Sequence, residues 1–443
     1  MRHWFKDRHF KSLLKNSSYL AVSKAIAGVA ALATLAFAGR SLGVLLFGIL
    51  ILITSYAKAA SGLSKFQSWQ LIVRYGGQAL VPGEAAEFKA STGFAVALDV
   101  VSGVGGMILA ILLLPLLGGL FGITDEYLLI AMVYCTLLPT MSAATPEGVL
   151  RALDRFDLLS WQGTTYPIAR AILAGIAWWI DAPFEAFVAI WYVTDLGGDL
   201  YLWFLAWREL RRRNLLNGIR PTLKPQALPG AWRFAIHVNL TSSLTAAWGP
   251  IARLVVGGLI GPAATGIYRV AASLADSAQK PADLLGKAYY PEVVRMDLAT
   301  KKPWKLMWRG TVLATTLGLL TGLVLLVAGR WVIDAVFGAE FLPAYPVLLV
   351  LIIAPFLVMI SFPLVPMLYA LDRPDAPLKA RLIGTILYFA IVAPLAWQFG
   401  VVGAASAFVI GMAAMVVIQA MQLVAEYRRV RTPFSAASND ANP

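Results

Sequence analysis

Ala152-Leu153-Asp154-Arg155-Phe156-Asp157 recurs as Ala370-Leu371-Asp372-Arg373-Pro374-Asp375, 218 positions further along the chain. The pair Gly43…Gly48 recurs at the same offset as Gly261…Gly266. Either match alone is weak. Two unrelated motifs sharing one offset are not expected by chance, and they imply a chain built from two similar halves.

The stretches around these motifs are long and apolar. A membrane-spanning helix needs about 20 mainly apolar residues. Spans are expected at 17–39, 43–65, 94–118, 126–146, 160–180, 184–206, 235–258, 262–285, 309–329, 343–369, 379–398 and 402–425. The hexapeptide follows the fourth and the tenth span, and the glycine pair opens the second and the eighth. The fold class is therefore all-α: a polytopic transmembrane protein with about twelve spanning helices in two pseudo-symmetric six-helix lobes. An even number of spans per half gives both halves the same orientation, related by an axis along the membrane normal, with a substrate site between them. The basic, proline-containing connection Arg208–Arg233 lies near the midpoint and separates an N-terminal lobe, 1–215, from a C-terminal lobe, 216–443. The small, polar tail Thr432–Pro443 reads as disordered.

Composition agrees. Hydrophobic residues are 59% of the 443 positions and charged residues 14%, where a soluble domain is nearer half apolar and a quarter charged. The basic start, Met1–Lys15, runs into an apolar stretch too long for a signal peptide core, so it reads as a retained first helix. The formal charge of +13 is concentrated in short connections. The N-terminal arm, Arg74, Lys89, Arg151, Arg155, the Arg208–Arg233 connection, Arg295–Arg309, Arg373–Arg381 and Arg428–Arg431 fall on one side; Arg40 and Arg330 fall on the other. That asymmetry places both termini in the cytoplasm and argues against a nucleic-acid partner. Cys135 is the lone cysteine and there are three histidines, so no metal site and no cofactor is expected.

Charges also fall inside the spans, where each costs about 2.5–3.5 kcal/mol on insertion scales. Lys24, Lys58, Arg170, Asp195 and Asp276 lie deep; Asp99, Arg253, Arg269 and Lys280 less so. Helical spacing puts Thr54, Lys58, Ser61 and Lys65 on one face of the second span, and Arg269, Asp276, Lys280 and Asp283 on one face of the eighth. Gln162, Tyr166 and Arg170 align in the fifth, Asp195 and Asp199 in the sixth. The bland reading is structural pairing, Asp276 with Lys280 and Asp195 with Arg170, with Lys65 near enough to the cytoplasm to snorkel. Lys24 and Lys58 have no acidic neighbour on their own helices, which favours a wet cavity. Trp191, Trp248 and Tyr268 read first as packing or interfacial residues.

Catalytic motifs are missing. There is no Walker A sequence, no HExxH and no CxxC. Gly39-Arg40-Ser41-Leu42-Gly43 matches GxSxG but sits in a turn between two spans, far from any histidine base. Asp154, Arg155 and Asp157 resemble a catalytic cluster, yet their repetition at 372–375 favours a loop signature. The chain is expected not to be an enzyme.

Several stretches carry a resemblance: Gly43-Val44-Leu45-Leu46-Phe47-Gly48, Gly148-Val149-Leu150-Arg151 through Asp157, Ile260-Gly261-Pro262-Ala263-Ala264-Thr265-Gly266-Ile267-Tyr268, Tyr290-Pro291, and Val336-Phe337-Gly338-Ala339-Glu340-Phe341. Together they resemble the multidrug/oligosaccharidyl-lipid/polysaccharide exporter superfamily, in its O-antigen and exopolysaccharide flippase branch (lipopolysaccharide biosynthesis proteins). The resemblance implies alternating access in a bacterial inner membrane. It implies undecaprenyl-pyrophosphate-linked oligosaccharide as substrate, and a polysaccharide polymerase and chain-length regulator as partners beside the lipid bilayer. On that picture the cationic cavity comprises Lys24, Lys58, Arg170, Arg253, Arg269 and Lys280, and Asp195, Asp199 and Asp276 are candidates for ion coupling. The alternatives are a multidrug or small-cation antiporter of the same fold, which would favour a more acidic cavity, and a lipid II flippase, which brings two further spans. A membrane-embedded surface-polysaccharide polymerase would need a substantial catalytic periplasmic loop, and a scaffold would have no need of Lys58 or Arg170.

Overall fold

A computed structural model describes residues 8–76, 85–141, 143–224, 228–294, 301–371, 373 and 375–439. The described regular structure is all helix. α1 (Arg8–Ser64) carries the first two expected spans. α2 (Ser68–Gly76) is a short amphipathic helix that the span reading did not anticipate, and α3 (Ala85–Leu117) is the third span. The fourth is broken into α4 (Asp125–Cys135) and α5 (Ala144–Ala152). α6 (Phe156–Trp179), α7 (Phe184–Arg212), α8 (Ala231–Leu259), α9 (Pro262–Val294) and α10 (Lys301–Phe337) follow. The tenth span is α11 (Ala344–Leu351), α12 (Ile353–Ser361) and α13 (Leu364–Ala370). α14 (Asp375–Asn439) carries the last two spans and most of the tail that composition marks as disordered.

Among the described residues, five stretches are long and apolar enough to cross a bilayer: Ser23–Gly76, Ala85–Leu117, Trp304–Phe337, Ala344–Leu368 and Asp375–Tyr427. Their large apolar side chains face outward as well as inward. Ile108, Leu112 and Leu116 of α3, and Leu320, Leu323 and Val327 of α10, are all exposed. Lipid is as apolar as a protein core, so these faces carry no penalty in a membrane.

Glycine explains the two merged helices. Gly43 takes φ 65 and ψ 177, and Gly400 takes φ 58 and ψ −138. Both lie in the left-handed region that side chains disfavour. Beyond Gly400 the chain doubles back: a Cβ on Gly403 would sit 1.9 Å from the Leu395 carbonyl oxygen. Gly261, the repeat partner of Gly43, also has positive φ, at 124.

The repeated hexapeptide ends its helix the same way twice. Leu153 N–H donates to the Val149 carbonyl at 3.0 Å, and Arg155 N–H to the Leu150 carbonyl at 2.8 Å. Leu371 donates to Met367 at 3.0 Å, and Arg373 to Leu368 at 2.9 Å. These bonds satisfy carbonyls that a helix C-terminus leaves open. Each pair is related by the same 218-residue offset as the sequence.

By compactness the chain divides into Met1–Gly266 and Ile267–Pro443. In the first unit α1 packs on α6 and α8, α6 on α7, and α2 on α3 and α5. A core of Ile72, Phe88, Val149, Leu150, Leu153, Leu202 and Leu205 fills the space among α2, α3, α5 and α7. In the second unit α12 packs on α10, and α11 and α13 pack on α14. The 215/216 boundary read from the linker divides the sequence repeat; the compact boundary lies inside α9 because α8 packs on α1.

Candidate functional site

The polar faces read from helical spacing in the fifth and sixth spans meet. Gln162 of α6 donates to the Gly198 carbonyl of α7 at 3.0 Å, and Tyr166 packs on Gly198, which has no side chain to hold it off. One turn further, Arg170 donates to Asp195 in a direct ion pair and, through Nε, to Thr194 Oγ1 at 2.7 Å. Its guanidinium also lies over the rings of Tyr166 and Trp191, at 5.8 and 5.5 Å from their centroids. Tyr134 of α4 donates to the other Asp195 oxygen at 2.6 Å. Arg170 is thus held by a carboxylate, and Asp195 is held by an arginine and a phenol. Asp199, one turn beyond, forms no hydrogen bond or ion pair among the described residues, although it lies within electrostatic reach of Asp195, Lys65, Arg170 and Lys58.

Lys24 and Lys58 of α1 are both exposed on the protein. Lys58 acts electrostatically on Asp195. Arg253 of α8 reaches α1, donating its Nε to Ser55 Oγ at 2.8 Å. Ser55 and Lys58 are one helical turn apart, so their side chains are neighbours. Arg253 is thereby held on α1 one turn from the position of Lys58. In α9, Arg269 is half-buried and Asp276, exposed, acts on it electrostatically. The side chain of Lys280 lies outside the described residues, as does the N-terminal arm Met1–Asp7.

α1 and α9 also meet at the repeated glycines. A Cβ on Gly48 would sit 1.9 Å from the Pro262 carbonyl oxygen, and one on Gly266 would sit 2.7 Å from that of Val44. Pro262 is the repeat partner of Val44, and Gly266 of Gly48. Each glycine touches the partner of the residue that touches the other, which is the signature of a local two-fold axis.

Two residues gain importance that spacing did not give them. Lys65, expected to snorkel, is instead 2% exposed and turned inward. It donates to the Pro139 carbonyl at 3.1 Å and to the Met141 carbonyl, both in the break between α4 and α5. Asp99 of α3, also buried, accepts from the Ser68 hydroxyl at 2.6 Å, and from the Thr145 N–H and hydroxyl at 2.9 and 2.7 Å. Pro139 and Pro146, inside what reads as one span, were the available signal for the break.

The hexapeptide loop is a structural clamp. Arg155 forks onto Asp157 at 2.9 and 2.8 Å and reaches Glu209 of α7 at 2.6 Å. Arg213 takes the second Glu209 oxygen at 2.7 Å. The hydrogen bonds from Arg155 hold the Asp157 carboxyl below its ordinary range. Burial opposes ionisation of Glu209, but the hydrogen bonds from Arg213 and Arg155 outweigh it and hold that carboxyl low as well. Among the described residues no group of His, Cys, Asp and Glu is placed to hold a metal ion.

Helices of bilayer-crossing length, ionised groups within them and a duplicated architecture define a polytopic integral membrane protein. Residues 13–296 match the family described as Polysaccharide biosynthesis protein. Inner membrane protein YghQ of Escherichia coli (strain K12) is 40% identical over 348 residues, covering 78% of this chain and 98% of the relative. The chain belongs to the Polysaccharide biosynthesis protein family. Its fold is that of two solved structures. One is an inward-facing multidrug resistance MATE family transporter of the MOP superfamily, with TM-score 0.69, 14% identity, and 93% and 95% of the two chains covered. The other is the lipid II flippase MurJ in an inward closed conformation, with TM-score 0.68, 13% identity, and 93% and 89% covered. The expected all-helical, twelve-segment, two-lobed fold is borne out by these matches.

Proposed function

We propose that this chain is an inner-membrane flippase that moves a pyrophosphate-linked lipid oligosaccharide from the cytoplasmic to the periplasmic leaflet during surface-polysaccharide synthesis, with both termini cytoplasmic. Family membership supports the pathway and the fold supports alternating access. The observation that carries the cargo is the bond from Arg253 to Ser55, one helical turn from Lys58. Two cations anchored on the same stretch of α1 suit a diphosphate, which Arg meets with a fork and Lys as a point charge. Lys24 and Arg269 remain further candidate cations for the head group. Arg170 takes a positioning role, because Asp195 holds it. Asp199 is the group to which we assign ion coupling, since it is the carboxylate of the cluster without a hydrogen-bonded partner among the described residues. A polysaccharide polymerase and a chain-length regulator would act next on the translocated lipid.

Deleting the gene tests the reading directly. Lipid-linked glycan should build up in the cytoplasmic leaflet. Unchanged surface glycan with increased dye sensitivity would instead favour the antiporter. The variant Lys58→Ala/Arg253→Ala should reach normal abundance yet lose surface glycan by about tenfold or more, since each charge-assisted hydrogen bond removed is worth about 1.5–3 kcal/mol.

A further inference from the structure

Lys65 is buried in the first unit, and its ammonium has three N–H donors and no acceptor. Two donors go to the carbonyls of Pro139 and Met141. Among the described residues no backbone N–H takes either carbonyl, and Lys65 forms no direct ion pair. Asp99 and Asp199 act on it electrostatically from a distance. Carbonyl oxygens in contact and carboxylates one shell away are what an alkali ion meets in the unwound part of a discontinuous membrane helix. Two more oxygens on the same stretch of α1 go unused: the buried hydroxyls of Ser61, one turn before Lys65, and of Ser64 find no partner among the described residues. A buried, polar, under-satisfied region of this kind needs a donor or a cation.

We propose that the break between α4 and α5 is a monovalent-cation site whose occupant is built into the chain. The Lys65 ammonium stands where sodium, potassium or a small ammonium ion would otherwise sit. The break therefore needs no external ion. Asp99 completes the device from the other side: by accepting from Thr145 and Ser68 it fixes the first turn of α5 while Lys65 holds the carbonyls that precede it. Both are positioning residues for the broken segment, and neither need touch cargo.

Thermal unfolding of the purified full-length protein in choline chloride tests this without reference to transport. Lys65→Ala should unfold at a lower temperature than the unsubstituted protein. Methylammonium chloride, sodium chloride or potassium chloride should restore it saturably. Tetramethylammonium, bulky and without N–H donors, should not, and the gain in Lys65→Ala should exceed any response of the unsubstituted protein to the same salt. Lys65→Ala as stable as the parent, or destabilised and unresponsive to all three small cations, would overturn the proposal. If Lys65→Ala does not accumulate, Lys65→Arg and Lys65→Met decide: the cationic donor of Lys65→Arg should restore accumulation above that of Lys65→Met, and an equal or lower yield would overturn it.

Discussion

The helix ends at Leu153–Arg155 and at Leu371 and Arg373 share their terminating hydrogen bonds and differ in their charges. Their terminating hydrogen bonds agree to within 0.1 Å, and each arginine reaches across to a glutamate, Arg155 to Glu209 and Arg373 to Glu426. In the first turn that glutamate side chain is 1% exposed, receives a second arginine, and faces an Arg155 that is 19% exposed. In the second, Arg373 is 42% and Glu426 16% exposed, and Arg373 stands 3.6 Å from Asp375, which also pairs with Lys379. The lesson is that duplication fixed the helix end, while burial and contact geometry decide how much its ion pairs are worth. An enclosed pair stranded by loss of one partner is costly, while an exposed pair contributes about 0–1 kcal/mol.

The largest expected effect separates the two turns by a single oxygen-to-nitrogen change. Glu209→Gln keeps the shape but leaves Arg155 and Arg213 facing no carboxylate. Loss of one partner from a buried pair costs about 3–5 kcal/mol; partial exposure of both arginines puts this case at the lower end. Glu426→Gln should cost about 0–1 kcal/mol, as an exposed pair does. Melting temperatures of the two variants in one detergent make the comparison, and equal losses would mean that burial does not distinguish the turns.

Acid should erase the difference. Asp157 and Glu209 are held below their ordinary values of 3.8 and 4.5. A depressed carboxyl stabilises the fold above its ordinary value, and that contribution is lost as pH falls through the folded-state value. The gap between the unsubstituted protein and Glu209→Gln should therefore be complete at neutral pH and close below about pH 4. A gap that stays constant over a pH series of melting curves would show that the pair contributes nothing through its charge.

The same contrast shows how much the sequence disclosed. The offset of 218 and the matched glycines were legible because they are backbone requirements: positive φ at Gly43 and Gly261, and contact too close for a Cβ at Gly48 and Gly266. The polar stripes on α6 and α7 were legible because helical periodicity places Gln162, Tyr166 and Arg170 in line. The break in the fourth segment was not. Hydropathy averages over it, and the groups that sustain it, Lys65 and Asp99, come from other helices. Lys65 lies near the end of an apolar run, where a lysine can equally extend to the membrane surface, so spacing alone could not tell its two conformations apart. The bond from Arg253 to Ser55 depended likewise on which helices pack together. α2 escaped notice because nine residues are too few to register as a span.

The smallest expected effect tests whether the fork of Arg155, beyond its charge, holds the first turn. Arg155→Lys keeps one positive charge but cannot reach both Asp157 oxygens and Glu209 together, because an ammonium on a flexible stem lacks the planar guanidinium geometry. One charge-assisted hydrogen bond should be lost, about 1.5 kcal/mol. At Arg373, where the contact to Asp375 is already 3.6 Å, lysine should serve nearly as well, within the roughly 0–1 kcal/mol that an exposed pair is worth. Melting temperatures of both lysine variants then rank the turns by geometry, as the glutamine variants rank them by charge. If Arg373→Lys proved the more damaging, the second turn would have to be more tightly held than its exposed contacts indicate.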